Sequence, residues 1–200
     1  MQCEDYANAF YEELVDEGDR EDYPEHVLDL VAPGPDDRAH DWKRGTCIYW
    51  TMPKCGFKIR VSRFVREILR HLDVAPAQLT GPAWCYVMSF KYLFDYMPEL
   101  KLYWPNVGLF FHYFSPIYNT ESHLAIRKRG KIALFESISK VDDWNQGWVY
   151  LANPGDLSCF REIRRKWRHL TKESLVPNSP PSLTSEDLKA VDILDKYFTS

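Results

Sequence analysis

Val61, Phe64, Val65, Ile68, Leu69 and Leu72 fall at i, i+3, i+4, i+7, i+8 and i+11. Side chains at that spacing share one face of an α-helix. Ser62 precedes the helix as an N-cap, and Arg63, Arg66, Glu67 and Arg70 occupy the far side. A stripe this continuous demands an apolar surface to bury it. The next periodic stretch, "AWCYVMSFKYLFDYM", supplies one. It is apolar almost all round, as a central helix is. Pro82 suits its first turn and Pro98 breaks it. About ten residues, "DVAPAQLTGP", separate the two helices. A DNA-reading helix-turn-helix joins its helices with about three or four residues and puts polar residues on the second. Here the second helix offers Lys91 alone as a base, so the pair is predicted to be the packed centre of a domain.

Around this centre the spacing predicts further elements. "YANAFYEELVDEG" makes a short helix with Tyr6, Ala9, Phe10 and Leu14 on one face, ended by Gly18. "APGPDDRAHD" at 32–41 is a cluster of breakers and a boundary. "GTCIYWTMPKCGFKIRV" reads as extended or irregular. A helix over about 105–114 follows "YWP" and ends before Pro116. The period then changes to two. Leu124 and Ile126 lie on one strand face, Ile132 and Leu134 on the next, with Arg127 to Gly130 as the turn, and "GWVYLAN" is a third strand. "GDLSCFREIRRKWRHL" reads as a basic helix over 157–170, capped by Asp156 or Ser158, with Phe160, Ile163 and Trp167 inward. "VPNSPPSLTS" reads as a linker, and "SEDLKAVDILDKYF" as a final amphipathic helix with Ser185 as cap and Leu188, Val191, Leu194 and Phe198 in its stripe.

The predicted fold class is α+β, a helical core with a small three-stranded antiparallel sheet near 123–151. A hydrophobic fraction of 45% is ample for that core. The domain reading is an acidic, partly disordered leader at 1–42, a basic globular domain at 43–170, a Pro/Ser linker at 171–184 and the helix at 185–200.

Charge is divided sharply along the chain. Residues 1–42 hold 14 Asp/Glu against 2 Lys/Arg. Residues 43–172 hold 21 Lys/Arg against 10 Asp/Glu. A basic middle permits nucleic-acid contact, permits the leader to lie against it and screen it, and permits plain solvation of both. Two basic patches are the candidate nucleic-acid site. Arg127, Lys128, Arg129 and Lys131 form a hairpin tip, and Arg161, Arg164, Arg165, Lys166 and Arg168 stud the basic helix, with Trp167 available for stacking. The alternative is that these charges are ordinary solvated turns and faces, with Trp167 in the core. "RKRGK" also has the composition of a nuclear address.

No motif for catalysis is present. The chain has no phosphate-binding glycine loop, nucleophile elbow, kinase set or H-E-x-x-H. Cys3, Cys47, Cys55, Cys85 and Cys159 are odd in number and include no C-x-x-C pair, so neither a disulfide framework nor a zinc site is expected. Cys47 and Cys55 with His40 match no usual zinc spacing. Cys85, inside an apolar helix, reads as an inert thiol. His112 and His123 read as structural. Asp142–Asp143 is the one adjacent acid pair of the middle segment, in the loop "SKVDDWNQG". A two-metal nuclease needs several convergent carboxylates, and no spacing marks them. No catalytic residue, metal or cofactor is assigned. No apolar run reaches the roughly 18 to 20 residues that span a bilayer, and the acidic start lacks a signal-peptide layout. An intracellular protein, nuclear or cytoplasmic, with no membrane partner is expected.

From Phe57 to Leu151 the chain resembles a plant family of gypsy-type transposase domains found beside long-terminal-repeat retroelements. The opening "FKIRVSRFVREILRHLDVAPAQLTGPAW" is similar to that family's basic lead, amphipathic helix, Pro-containing turn and Trp. "VMSFKYLF" is similar to its apolar second helix, "LFFHYF" to its Phe-rich segment and "WNQGWVYL" to its closing strand. Two departures are Gly81–Pro82–Ala83, where the family tends to carry Pro-Asn-Ser, and "WNQGW", where Lys usually follows the first Trp. The family label implies transposition and brings no established catalytic residue to any position here. The expected function is that of a retroelement-derived, non-enzymatic protein that binds DNA or RNA, or assembles with other element-encoded proteins. A metal-dependent nuclease, by label alone, and a pure protein-interaction module are the alternatives.

Overall fold

The computed structural model describes residues 3–22, 28–41, 43, 45–120, 122–130, 134–135, 141, 143–153, 157, 160, 162–173 and 181–199, with side chains described from Ala9 onward except at Gly18. The helices are α1 (Cys3–Leu14), α2 (Thr51–Lys54), α3 (Arg63–Leu72), α4 (Gly81–Tyr96), α5 (Val107–Tyr113) and α6 (Ser185–Thr199). The strands are β1 (Leu30–Val31), β2 (Thr46–Tyr49), β3 (Phe114–Tyr118), β4 (Leu124–Lys128) and β5 (Trp148–Leu151). The fold is α+β. A three-stranded antiparallel sheet has the order β1-β5-β2, and β3 and β4 form a separate hairpin.

The stripe of α3 is buried as its spacing requires. Phe64, Val65, Ile68, Leu69 and Leu72 all lie in the core, each contributing about 1.5–3 kcal/mol of burial. Ser62 caps the helix by accepting the Val65 N–H at 3.4 Å. Asp73 ends it in the left-handed conformation, φ 53°. α4 is capped by Thr80, whose hydroxyl accepts from the Ala83 N–H at 3.4 Å. Trp84 is fully buried on α4, donating its indole N–H to the Pro76 carbonyl at 3.2 Å and meeting Phe57 edge-on at 4.8 Å. Gly81 is needed there, because a Cβ would stand 2.9 Å from that of Trp144.

The strands correct the sequence reading. The predicted sheet takes two of its three strands from upstream of residue 50, and its centre is β5, paired on both edges. The turn of the hairpin is not Arg127–Gly130. It lies between β3 and β4, at Asn119, Thr120, Ser122 and His123. The Thr120 hydroxyl accepts from the N–H groups of Ser122 and His123 at 3.3 and 3.1 Å, a side-chain-made turn. The 105–114 helix stops at Tyr113 and passes directly into β3. Pro116, with no N–H to donate, lies on a strand that, among the described residues, pairs on one side only. Ile132 lies outside the described residues.

The leader belongs to the same core. Phe10, Leu14, Val15 and Leu28 are buried with the middle segment, and β1 pairs with β5. The Ile59 N–H donates to the Leu14 carbonyl at 3.1 Å, and the Tyr150 hydroxyl to the Arg38 carbonyl at 2.6 Å. Acids of the leader meet bases of the middle: Lys58 stands 3.1 Å from Asp16, and Arg60 2.7 Å from Asp19.

α6 is docked as well. Its N-cap is Thr184, one residue earlier than expected, in a reciprocal box with Asp187. Asp187 also accepts from the Asn106 amide at 2.7 Å, and Tyr113 donates to Asp195 at 2.7 Å. Val191 and Leu194 of the expected stripe are buried and Phe198 packs against the core, while Asp187 and Ala190 are buried and Leu188 is exposed. Among the described residues no helix is long and apolar enough to cross a membrane.

Candidate interaction surface

The segment read as a basic helix does something else. Residues 162–170 are turns, bends and irregular backbone, not helix. The cause is Gln78, fully buried in the link between α3 and α4. Its Oε1 accepts from the N–H groups of Ala75 and Arg168 at 3.2 and 2.9 Å. Its Nε2 donates to the carbonyls of Ser122 and Arg168 at 3.1 and 2.7 Å. One side chain thus pins the basic segment and the hairpin turn to the start of α4. The Arg168 backbone groups bonded to Gln78 are not in a helical ladder.

The arginines follow. Arg164 donates to both Asp73 oxygens at 2.8 and 2.9 Å. Arg168 stands 3.7 Å from the same carboxylate and donates to the Leu72 carbonyl at 3.4 Å. Arg70 and Glu162 pair at 3.0 Å. The two arginines therefore sit at the C-terminal end of α3, where unpaired carbonyls favour cations. Phe160, Ile163 and Leu170 are buried. Trp167 packs against His123 at 5.2 Å and His40 at 5.9 Å. Arg165 and Lys166 are exposed. Arg161 lies outside the described residues.

Of the other patch, Arg127 is exposed on β4 and donates to the Ser115 hydroxyl at 3.3 Å. Lys128 is half-buried and donates to the Phe135 carbonyl. Arg129 is exposed. Lys131 lies outside the described residues. The two patches stand at opposite ends of β4. Trp167 meets its His123 end, and Arg127 to Arg129 leave the other, about 17 Å along an antiparallel strand.

Exposed apolar groups stand elsewhere, on α4 and in the loop before α5. Tyr92 and Tyr96 stand one turn apart on α4 with ring centroids at 5.9 Å. Leu102 and Trp104, in the loop before α5, are 90% and 82% exposed. Trp104 borders a furrow of about 530 Å³ between the starts of α3 and α5 and the side of α4. Its charges are two matched pairs, Arg63–Glu67 on α3 and Lys91–Asp95 on α4. At Ser62 and Lys91 it adjoins a second hollow of about 300 Å³, walled by Met88, Tyr92 and leader acids Asp16 and Asp19. Sequence reading missed Trp104. The signal was Pro105, which pushes the preceding residue to an extended conformation and keeps Trp104 out of the helix.

The remaining chemistry-bearing residues are mostly apart. Asp143 holds a turn at φ 55° and accepts from the Gln146 side chain at 2.8 Å. Asp142 lies outside the described residues. Among the described residues no three His, Cys, Asp or Glu side chains are grouped to hold a metal. His123 is wedged between Trp144, at 4.8 Å, and Trp167. Desolvation by that burial lowers its pKa to about 4. Cys47 is buried, and desolvation pushes its thiol well up. Cys55 is buried, and Cys85, on α4, is half-buried. The chain matches no known family model, no curated protein and no solved structure.

Proposed function

We propose that this chain is a retroelement-derived, non-enzymatic assembly module, related to the gypsy-type transposase domains it resembles, which binds another element-encoded protein in the Trp104 furrow. One observation carries the reading. Trp104, 82% exposed, borders a furrow whose charges are already matched within the chain, and Tyr92 walls the hollow that adjoins it. Large aromatic groups at a concave site are the usual anchors of protein interfaces. Matched charges give a phosphate backbone little to hold, so the occupant is an apolar protein segment of low net charge. The nuclease alternative would require a carboxylate cluster, and among the described residues none is grouped with the spacing of a metal site.

Nucleic-acid binding is the second reading, favoured by Arg127, Arg129, Arg165 and Lys166, which are exposed. It is weakened by the engagement of Arg164 and Arg168 with Asp73. The test uses the full-length chain in two arms. Labelled DNA and RNA are titrated at low and physiological salt, and proteins encoded beside this chain are mixed with it and sedimented. The expected result is a protein complex that Trp104→Ala abolishes, with only weak, salt-sensitive nucleic-acid binding. Tight nucleic-acid binding at physiological salt, abolished by joint substitution of Arg165 and Lys166, with no Trp104-dependent complex, would overturn it.

A further inference from the structure

Arg164 and Arg168 aim their guanidinium groups at one carboxylate. Arg164 Nη1 stands 2.8 Å from Asp73 Oδ1 and 2.9 Å from Oδ2, and Arg168 Nη1 stands 3.7 Å from Oδ2. Neither arginine is held there by Asp73 alone. Arg164 Nε donates to the Lys166 carbonyl at 2.8 Å. Arg168 Nη1 also donates to the Leu72 carbonyl at 3.4 Å, and buried Gln78 fastens the Arg168 main chain at both its N–H and its carbonyl. The fold has thus already ordered two long cationic side chains around one point, which lowers the entropy lost when an anion arrives there. Asp73 is not buried with them. Its side chain is 53% exposed, on the left-handed residue that ends α3. The charge around it is unbalanced. Two guanidiniums face one carboxylate, Arg165, Lys166 and His169 of the same segment are exposed, and Glu162 is engaged by Arg70 at 3.0 Å.

We propose that Arg164 and Arg168 form a binding site for a phosphate dianion, free or as a monoester, with Asp73 as its internal competitor. A carboxylate brings one negative charge. A phosphomonoester brings about −1.5 to −2 at neutral pH, on three acceptor oxygens that can take hydrogen bonds from both guanidiniums at once. A phosphodiester carries a single charge, no more than Asp73. Asp73 is tethered beside the arginines and competes at high effective concentration. The site therefore selects the dianion over the diester backbone of a nucleic acid. Arginine at both positions suits this ligand, because the planar guanidinium fork matches phosphate oxygens. Asp73 is displaced at little cost, since a half-exposed carboxylate that turns away is hydrated. The Leu72 carbonyl, whose partial negative charge opposes an anion, already accepts from Arg168. The site stands at the far end of α3 from the Trp104 furrow, about 15 Å along the helix, and does not rest on the function proposed for that furrow.

The experiment titrates nitrogen-15-labelled full-length protein at low salt and about pH 7.5, where the monoester is a dianion. The probes are inorganic phosphate, phosphoserine blocked by acetylation and amidation, and dimethyl phosphate. The Arg164 Nε–H and Arg168 main-chain N–H resonances are followed. Saturable shifts of both are expected with inorganic phosphate and the blocked phosphoserine, and none with dimethyl phosphate. Tighter binding of the blocked phosphoserine assigns the site to esters and tighter binding of inorganic phosphate to the free ion, and either result supports the site. Asp73→Asn keeps a residue that tolerates the left-handed turn and removes the competing charge, so about tenfold tighter binding is expected. Joint Arg164→Gln and Arg168→Gln leaves the main-chain bonds to Gln78 in place and is expected to abolish binding. No saturable shift in the unaltered chain, or equal shifts with dimethyl phosphate, would overturn the proposal. Both of those results are read on the unaltered chain, so they stand even if a variant does not fold.

Discussion

Gln78 is the residue on which most depends. It is fully buried and each of its polar atoms makes two hydrogen bonds, to Ala75, Ser122 and twice to Arg168. Gln78→Leu keeps much of the volume and strands those backbone groups. A loss of about 2–4 kcal/mol is expected in denaturant unfolding, with faster hydrogen exchange at Arg168. A loss under about 0.5 kcal/mol, as at an ordinary surface site, would show that the clasp is dispensable. His123 gives a pH dependence. Its folded pKa, near 4, lies below the ordinary histidine value near 6.5. The unfolded chain therefore binds the proton first. The stabilising contribution is complete above about pH 6.5 and is lost as pH falls towards 4. After allowance for its partial exposure, about 1–2 kcal/mol is at stake. His123→Phe is expected to flatten unfolding stability between pH 4 and 6.5, and an unchanged slope would assign that dependence to other groups. His123 was read as structural, but neither its pH dependence nor the Gln78 clasp was legible in the sequence. Gln78 stood inside a motif read only as a turn, and its partners lie 44 and 90 positions away.

At the scale of elements, local signals were readable and pairings were not. The 3.6-residue period placed α3, the cap Ser62 stood where a short polar side chain belongs, and Pro82 and Pro98 framed α4. Phe10 and Leu14 were legible on α1 for the same reason. β1 was not, because two residues in an acidic stretch carry no period and form a strand only by pairing with β5. The basic segment was misread because its spacing fits a helix, while tertiary hydrogen bonds to Gln78 and Asp73 outweigh that propensity. α6 illustrates the balance. Val191 and Leu194 of its stripe were legible, but Asp187, engaged by Thr184 and Asn106, is buried where Leu188 was expected. Burial pushes the Asp187 carboxyl up, but the hydrogen bonds from Thr184 and Asn106 outweigh it and hold the carboxyl below its usual range. Thr184→Ala is expected to cost about 1 kcal/mol and to raise hydrogen exchange first at the start of α6. Exchange unchanged at 185–188 would show that docking alone, not the cap, fixes that end.

On the scale of the whole molecule, the acidic leader and basic middle form one body. Ion pairs from Lys58 and Arg60 to Asp16 and Asp19 are exposed, and each is worth only about 0–1 kcal/mol. The apolar contacts of Phe10, Leu14 and Leu28 and the β1–β5 ladder hold the leader more firmly. A chain lacking residues 1–42 is therefore expected to melt well below the full chain and to scatter light on heating, since its β5 edge and core are uncovered. An equal melting temperature would mean that the leader is an appendage after all. With Arg164 and Arg168 paired to Asp73, the Trp104 furrow is the surface on which the proposed function rests. Its most direct test is sedimentation velocity of the full chain mixed with each protein encoded beside it, with and without Trp104→Ala. The expected result is a faster-sedimenting complex that disappears in Trp104→Ala while the melting temperature stays the same. A complex that persists in Trp104→Ala and is lost when Arg165 and Lys166 are replaced would contradict it.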